Sequence, residues 1–252
     1  ARVLHRYVDD VQVFQNAFAA VMASPLLVEL KAERKAEEGK IEPARYSTRE
    51  MVDLEGRLAD AAERLSADTS HRIAARRVGR AISRQDEAIR RAVASDCSGR
   101  IACGEMTTAE RDRRVARAGL SAEQRQAIEH VTRPERIAAV IGFAGAGKST
   151  MLAAAREAWE GEGRRVFGAA LAGKAAEGLE ESAGILSRTL ASWVKRWAQE
   201  TELLEKGDVL VIDEAGMVGS RQLAGFVAEV DRRGAKLVLV GDHEQLQAIA
   251  AG

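Results

Sequence analysis

Ile141-Gly-Phe-Ala-Gly-Ala-Gly-Lys-Ser-Thr150 is the stretch that decides the fold. It contains Gly142-x-x-x-x-Gly147-Lys148-Ser149, a phosphate-binding loop pattern. Phosphate oxygens are held best by several backbone N–H groups converging at once. Only a loop nearly free of side chains curls that closely. Gly142, Gly145 and Gly147 permit the curl, with small Ala144 and Ala146 between them. In such a loop Lys148 reaches the β- and γ-phosphates of a nucleotide as a point charge. The Ser149 hydroxyl ligates Mg²⁺, and Thr150 continues the helix start. That helix start adds the positive end of its dipole. The apolar run Ile137 to Ile141 before the loop and the helical run Met151 to Trp159 after it supply the context the pattern needs.

Outward from the loop, apolar runs alternate with helical stretches. The runs are Ile137 to Ile141, Val166 to Ala170, Val209 to Ile212 and Leu237 to Val240. None carries a polar residue at every second position, which predicts strands buried on both faces of a parallel sheet. Strand and helix in alternation give an α/β doubly wound class. In open sheets of this kind, ligands bind at the carboxyl ends of the strands. Three polar clusters fall there: the loop itself, Asp213-Glu214, and Gly241-Asp242 with Gln245. Asp213 is suited to hold Mg²⁺, mostly through the metal's water shell. Glu214 is suited to accept a proton from an attacking water, or to orient it. Gln245 is suited to sense a γ-phosphate through its amide.

Residues 1 to about 119 read as a charge-rich, all-α region. Val11, Phe14, Phe18 and Val21 recur at helical spacing. Ser24-Pro25 resembles a helix start, and Lys31 to Lys40 a solvated helix end or linker. Capping boxes are read at Ser47-x-x-Glu50, Thr107-x-x-Glu110 and Ser121-x-x-Gln124. One or two helices are expected between Ser70 and Ala94, with a break at Cys97-Ser-Gly99. Arg72, Arg76, Arg80 and Arg84 stand four apart, on one helix face. Two readings of them stay open, a phosphate-contacting stripe and a solvated face. Trp193 and Trp197 likewise allow either base stacking or core packing.

Hydrophobic residues make up 46% and charged residues 30%, which places the chain among globular proteins. No apolar run approaches membrane-spanning length and no signal-peptide pattern opens the chain, so no membrane insertion and a cytoplasmic location are expected. The initial Ala suggests a fragment. Net charge is zero, so any nucleic-acid footprint must be local. Cys97 and Cys103 lack the spacing and partners of a zinc site and read as reduced thiols.

The motifs resemble the first motor domain of superfamily 1 helicases of the RecD-like branch. Leu120-Ser-x-Glu-Gln124 is similar to the Q motif, whose glutamine reads adenine; Gln124 also has its capping role. Gly142 to Thr150 is similar to motif I, and Ala169 to Ala176, with Lys174, stands where motif Ia meets single-stranded DNA. Ser187-Arg188-Thr189-Leu190 looks like motif Ib, Asp213 to Met217 like motif II, and Gly241 to Leu246 like motif III. Motif Ia lacks its usual Pro-Thr, and His243 stands where Pro is common. Across nearly the whole chain, Arg45 to Met51, Gly119 to Gln124, Gly168 to Gly178 and Val209 to Gly219 resemble the helicase portion of Ti-type conjugative transfer relaxases.

The resemblance implies a RecA-like ATPase domain over 120–252, preceded by the helical region 1–119. It implies ATP and Mg²⁺ as cofactors, with single-stranded DNA and other conjugation or relaxosome proteins as partners. Unwinding during plasmid transfer follows, in the 5′ to 3′ direction. The nucleotide set is Gln124, Gly142, Ala144, Gly145, Ala146, Gly147, Lys148, Ser149 and Thr150. The metal set is Ser149 and Asp213, the catalytic set Lys148, Asp213, Glu214 and Gln245, and the DNA set Lys174, Arg188 and Thr189. The family's nuclease histidines and tyrosine have no counterpart here, and the second motor domain with its arginine finger is expected to lie outside the chain. Such a finger is worth ~10³–10⁵ in rate, so this piece is expected to bind ATP–Mg²⁺ better than it hydrolyses it. The alternative function is a nucleotide-switched docking or export-signal module without unwinding activity. A generic P-loop kinase fits Asp213-Glu214 and Gly241 to Leu246 less well.

Overall fold

The computed structural model describes residues 10–35, 41–142, 147–201 and 203–241. Tertiary contacts divide the chain into two compact units, one ending at Asp60 and the other beginning at Ala61.

The first unit opens with α1 (Val11–Met22), capped by Asp10, whose carboxylate accepts the Val13 amide at 2.9 Å. Short strands follow where only helix was expected. β1 (Leu27–Lys31) pairs antiparallel with β4 (Arg45–Thr48), and β2 (Arg34–Lys35) with β3 (Ile41–Glu42). Ser24-Pro25 therefore leads into a turn and a strand, not a helix. A charge clamp helps hold these ladders. Glu42 accepts from both Lys31 and Arg34 at 2.6 Å, and Arg34 first, then Lys31, draw its carboxyl down to a pKa of about 2. Lys31, Arg34 and Lys35 of the Lys31 to Lys40 run are thus part of a paired structure, and residues 36–40 lie outside the described residues. The cap of α2 (Arg49–Ala67) is Thr48, whose hydroxyl accepts the Met51 amide at 3.2 Å, one residue later than the Ser47 box predicted.

The second unit is a five-stranded, wholly parallel sheet with helices packed on it. Its strands are β5 (Ile137–Ile141), β6 (Val166–Ala170), β7 (Leu186–Thr189), β8 (Val209–Ile212) and β9 (Lys236–Gly241). Their spatial order is β5-β9-β8-β6-β7. The α/β class read from the apolar runs is the one observed. All of β8 is buried, because helices cover it on both sides. Val209, Val211, Val238 and Val240 face a core shared with α5 (Ala122–Val131), α6 (Lys148–Gly161) and α7 (Gly173–Ala183). β7 was not anticipated, since Leu186-Ser-Arg-Thr189 carries one strongly apolar residue; pairing with β6 at a sheet edge extends it.

α3 (Ala75–Ala102) runs unbroken through Cys97-Ser-Gly99, contrary to the expected break. Cys97 is buried, and Ser98 satisfies its hydroxyl on the Ala94 carbonyl at 2.8 Å. Packing outweighs the cost of about 1 kcal/mol for a glycine within a helix. The stop comes at Gly104, with φ +75°. Ile73, Val78, Ile82 and Ile89 pack against the sheet's core, so α3 belongs to the same unit as the sheet. α4 (Thr108–Arg117) and α5 both begin with fully formed capping boxes at Thr107/Glu110 and Ser121/Gln124. The remaining helices are α8 (Leu190–Ala198) and α9 (Ser220–Arg233).

A buried arginine sets the register of the sheet's first strand. Arg136, just before β5, donates through Nε to Ala235 O at 2.9 Å and through its terminal nitrogens to Val230 O at 2.8 Å and Asp68 Oδ2 at 3.2 Å. This pins the start of β5 to the start of β9, and the two strands then stay in step to Ile141↔Gly241. Nearby, Lys236 is wholly buried and donates to the carbonyls of Arg133 and Glu135 at 2.6 and 2.7 Å. Burial pushes its pKa down to about 8. Burial, then the positive charges of Arg164, Lys236 and Arg136, lower His71 to about 4.

Candidate nucleotide site at the sheet rim

β5 ends at Ile141, and α6 begins at Lys148. Gly147 caps α6 with φ +70°, ψ +33°, a left-handed conformation that glycine adopts without strain. A Cβ at Gly147 would also collide with Gln124 Nε2. Gln124 does two things at once. Its Oε1 accepts the Ser121 amide at 2.9 Å, completing the capping box, and its Nε2 donates to Gly147 O at 3.3 Å. The capping role read from the sequence is present, and the same side chain ties the start of α5 to the phosphate loop. Asp86 steadies this corner from α3. It accepts the Leu120 amide at 2.8 Å and pairs with Arg125 at 2.5 Å. Burial alone would raise the Asp86 carboxyl, but the Leu120 amide and Arg125 outweigh it and hold the group below its ordinary range.

The Lys148 ammonium donates to Gly142 O at 3.1 Å and Gly241 O at 3.4 Å. It thus spans the ends of β5 and β9. The strands stay close past their ends, with the Gly142 amide donating to Gly241 O at 3.2 Å. β8 lies on the other side of β9, in register from Val209↔Lys236 to Ile212↔Leu239. Asp213 leaves β8 at the same rim, its amide donating to Ala169 O at 2.9 Å. Its Oδ1 accepts the Glu214 amide at 2.9 Å. Glu214 has φ +54° and ψ +34°, a left-handed conformation that a non-glycine residue adopts at a cost. The Ala215–Met217 3-10 turn that follows brings Gly216 against Gly241. Lys148, Asp213 and Glu214 therefore converge on one rim, and all three are half-buried. Ser149 and Thr150 lie in the first turn of α6. Ala144, Gly145, Ala146 and Gln245 lie outside the described residues.

A recess opens beside Lys148, lined by Glu123, Gln124, Ala127, Val140, Ile141, Gly142 and Met151. Its walls are largely aliphatic, and its polar side chains are Glu123, Gln124 and Lys148. That combination suits a flat heterocycle attached to an anionic chain.

The DNA candidates occupy the other end of the rim, where β6 and β7 lie. Lys174 is exposed in the first turn of α7. Arg188 and Thr189 close β7, paired with Ala169 and Ala170. The Thr189 hydroxyl already accepts the Ser192 amide at 3.1 Å as the cap of α8. Trp193 is buried, donates from Nε1 to Gly168 O at 2.9 Å and meets Phe167 edge-on. Trp197 packs between Trp193 and Phe226, with centroids 5.7 and 4.8 Å away. Trp193 is core and Trp197 is half-buried against it, so the pair packs as the core reading has it.

The profile of a family described as "AAA domain" matches residues 119–252, more than half of the chain. The chain belongs to the AAA domain family. Beyond that profile, the whole chain aligns at 47% identity with "Probable conjugal transfer protein TraA" of Sinorhizobium fredii and at 47% with "Conjugal transfer protein TraA" of Agrobacterium fabrum. It spans 20% of the length of each of these relatives. Over 141 residues, 54% of the chain and 19% of the relative, it is 34% identical to "ATP-dependent RecD2 DNA helicase" of Deinococcus radiodurans. The resemblance read from the motifs is therefore supported by similarity to conjugal transfer proteins across the whole chain and to a RecD2 helicase across 54% of it. Among the described residues no helix is long and apolar enough to cross a membrane.

Three features of this AAA domain site escaped sequence reading. The strand-end carbonyls that hold Lys148 are backbone atoms and leave no trace in residue identity. The left-handed Glu214 stands where glycine or asparagine would have announced a turn. Asp86, from the region read as separate, reaches the corner behind Gln124; its signal is an acid placed between Ile82 and Ile89 on the packed face of α3, where it is buried.

Proposed function

We propose that this chain is the ATP-binding half of a DNA motor, the helicase portion of a conjugative relaxase, working in the cytoplasm. The single observation that carries the reading is the bridge from Lys148 to both Gly142 O and Gly241 O. It sets an ammonium at the mouth of a recess, between two strand ends, with Asp213 and Glu214 leaving the next strand. That arrangement fits MgATP. Gln124 would meet the adenine, the backbone from Gly142 to Gly147 the phosphates, and Lys148 the β- and γ-oxygens. Ser149 and, through water, Asp213 would hold Mg²⁺. The bound metal ion would neutralise charge on the phosphates during transfer to water. Glu214 would take the proton of that water or orient it, and Gln245 would report on the γ-phosphate.

Residues from about 120 onward carry these motifs, so we take that point as the motor's functional boundary. Residues 61–119 then act as an accessory layer on it. Lys174, Arg188 and Thr189, at the β6–β7 end of the same rim, are positioned for a single DNA strand. Nucleotide-driven movement at the β5–β9 end would pass through β8 and β6 to them. Other conjugation proteins are the expected partners.

The test is ATP hydrolysis with and without oligo-dT, in this chain and in the longer relaxase context. Stimulation by the single strand that disappears in Glu214→Gln supports a motor. Hydrolysis indifferent to DNA in both contexts rejects it.

A further inference from the structure

α3 carries an arginine face that the nucleotide site does not use. Arg76, Gly79, Arg80, Ser83 and Arg84 line an open depression along the helix. Arg84 is paired with Glu157 of α6, and the neighbouring Arg77 lies 3.5 Å from Glu162. Those contacts fix the helix on the motor. Arg76 and Arg80 are exposed and form no ion pair among the described residues. The arginines recur every fourth residue, so their guanidinium groups step along the face by roughly 6 Å.

Gly79 lies between the two unpaired arginines. Glycine is a poor helix former, and no packing demands it here: among the described residues nothing lies within 4 Å of where its Cβ would stand. What it provides is a bare floor between two cations. The acceptor on that floor, Gly79 O, already takes the Ser83 hydroxyl at 2.9 Å, which weakens its repulsion of an anion. Glu157, the partner of Arg84, is nine residues along α6 from Lys148, roughly 14 Å. The face is therefore separate from the phosphate loop.

We infer that this face holds the sugar-phosphate backbone of a single DNA strand, with successive phosphates on Arg76 and Arg80 and the chain crossing over Gly79. A guanidinium fork matches phosphate oxygens two at a time. The depression is open and, among the described residues, has no aromatic lining, which suits repeated backbone charge and not base readout. The choice of a single strand rests on the motor reading above.

The experiment measures fluorescence anisotropy of labelled oligo-dT, and of a duplex of equal length, against the whole chain without nucleotide. Salt runs from about 50 to 200 mM, the range over which phosphate contacts change affinity strongly. The double variant Arg76→Gln/Arg80→Gln is expected to bind oligo-dT at least about fivefold more weakly at the middle of that range. Its log-affinity against log-salt slope should be shallower by about 1.4, the share of two phosphates on a single strand. Gly79→Leu fills the floor with a better helix former, so it should lower affinity while leaving Tm unchanged or higher. Unchanged affinity and slope in the double variant, with weakening in Lys174→Ala, overturns this inference and leaves the proposed function standing. Loss confined to duplex binding also overturns it. Absence of any DNA binding by the unaltered chain overturns both.

Discussion

The Lys148 ammonium lies 3.4 Å from the carbonyl oxygen of Gly241, although 93 residues separate them in sequence. With Gly142 O at 3.1 Å on the other side, the lysine joins the ends of β5 and β9. A side chain committed to two carbonyls is neither buried core nor loose surface. Phosphate oxygens arriving at the loop would compete for its protons, and the two strand ends would feel the exchange. Lys148→Ala should therefore remove nucleotide binding by at least about a hundredfold, since a charge-assisted bond to phosphate is lost with its site. The fold should survive, because the lysine is half-buried and at a helix start. Circular dichroism alongside nucleotide titration checks both halves.

Variants of Gln124 separate its capping bond from the adenine contact proposed for it. Gln124→Ala removes the capping bond and the tie to Gly147 O, and should cost about 1 kcal/mol of stability. Gln124→Glu can still close the box with Ser121, but a carboxylate cannot donate to Gly147 O. It should keep most of the stability and lose preference for ATP over GTP. Urea melts and competition binding distinguish the two variants.

Glu214 should show a trade between stability and chemistry. Its left-handed backbone is strained for a residue with a Cβ, by about 1 kcal/mol. Glu214→Gly relieves that strain, partly offset by the greater freedom of glycine in the unfolded chain. The variant should be at least as stable as Glu214→Gln, while both lose ATP hydrolysis by orders of magnitude. A glycine variant markedly less stable than the glutamine one contradicts this account of the turn.

Acid should weaken the second unit through His71. Its folded pKa of about 4 lies below the ordinary 6.5, so between these values the unfolded chain binds more protons. Stability present above pH 6.5 is then lost as pH falls towards 4, by up to about 3 kcal/mol. His71→Gln should flatten the dependence of Tm on pH in that window. Lys236 has the same sign at higher pH: with a folded pKa of about 8, it makes stability rise from there towards pH 10.5.

Much of the second unit was legible because its signals are local. Val209-Leu-Val-Ile212 has no polar residue and can only be a strand covered on both faces. The strand end at Ile141 and the helix start at Lys148 fall where the Gly142 to Ser149 pattern puts them. The boxes at Thr107 and Ser121 form as read, whereas at Ser47 the strand β4 runs on to Thr48 and moves the cap by one residue. The first unit was misread for the opposite reason. Leu27 to Lys31 and Arg45 to Thr48 are stabilised by each other, and neither run carries enough periodicity alone to predict its partner. The extent of α3 was likewise decided by tertiary packing of Cys97, which outweighed the local cost of Gly99. At the candidate site, the sequence suggests side chains such as Lys148, Asp213 and Glu214 but not their backbone surroundings: Gly241 O and the φ of Glu214 belong to geometry alone.

The most direct test of the single-rim nucleotide site is a titration of the intact chain with a fluorescent ATP analogue and Mg²⁺, compared with Lys148→Ala. The account predicts saturable one-to-one binding that ATP displaces and that the alanine variant lacks. Equal binding by both proteins, or none by the unaltered chain, would contradict it.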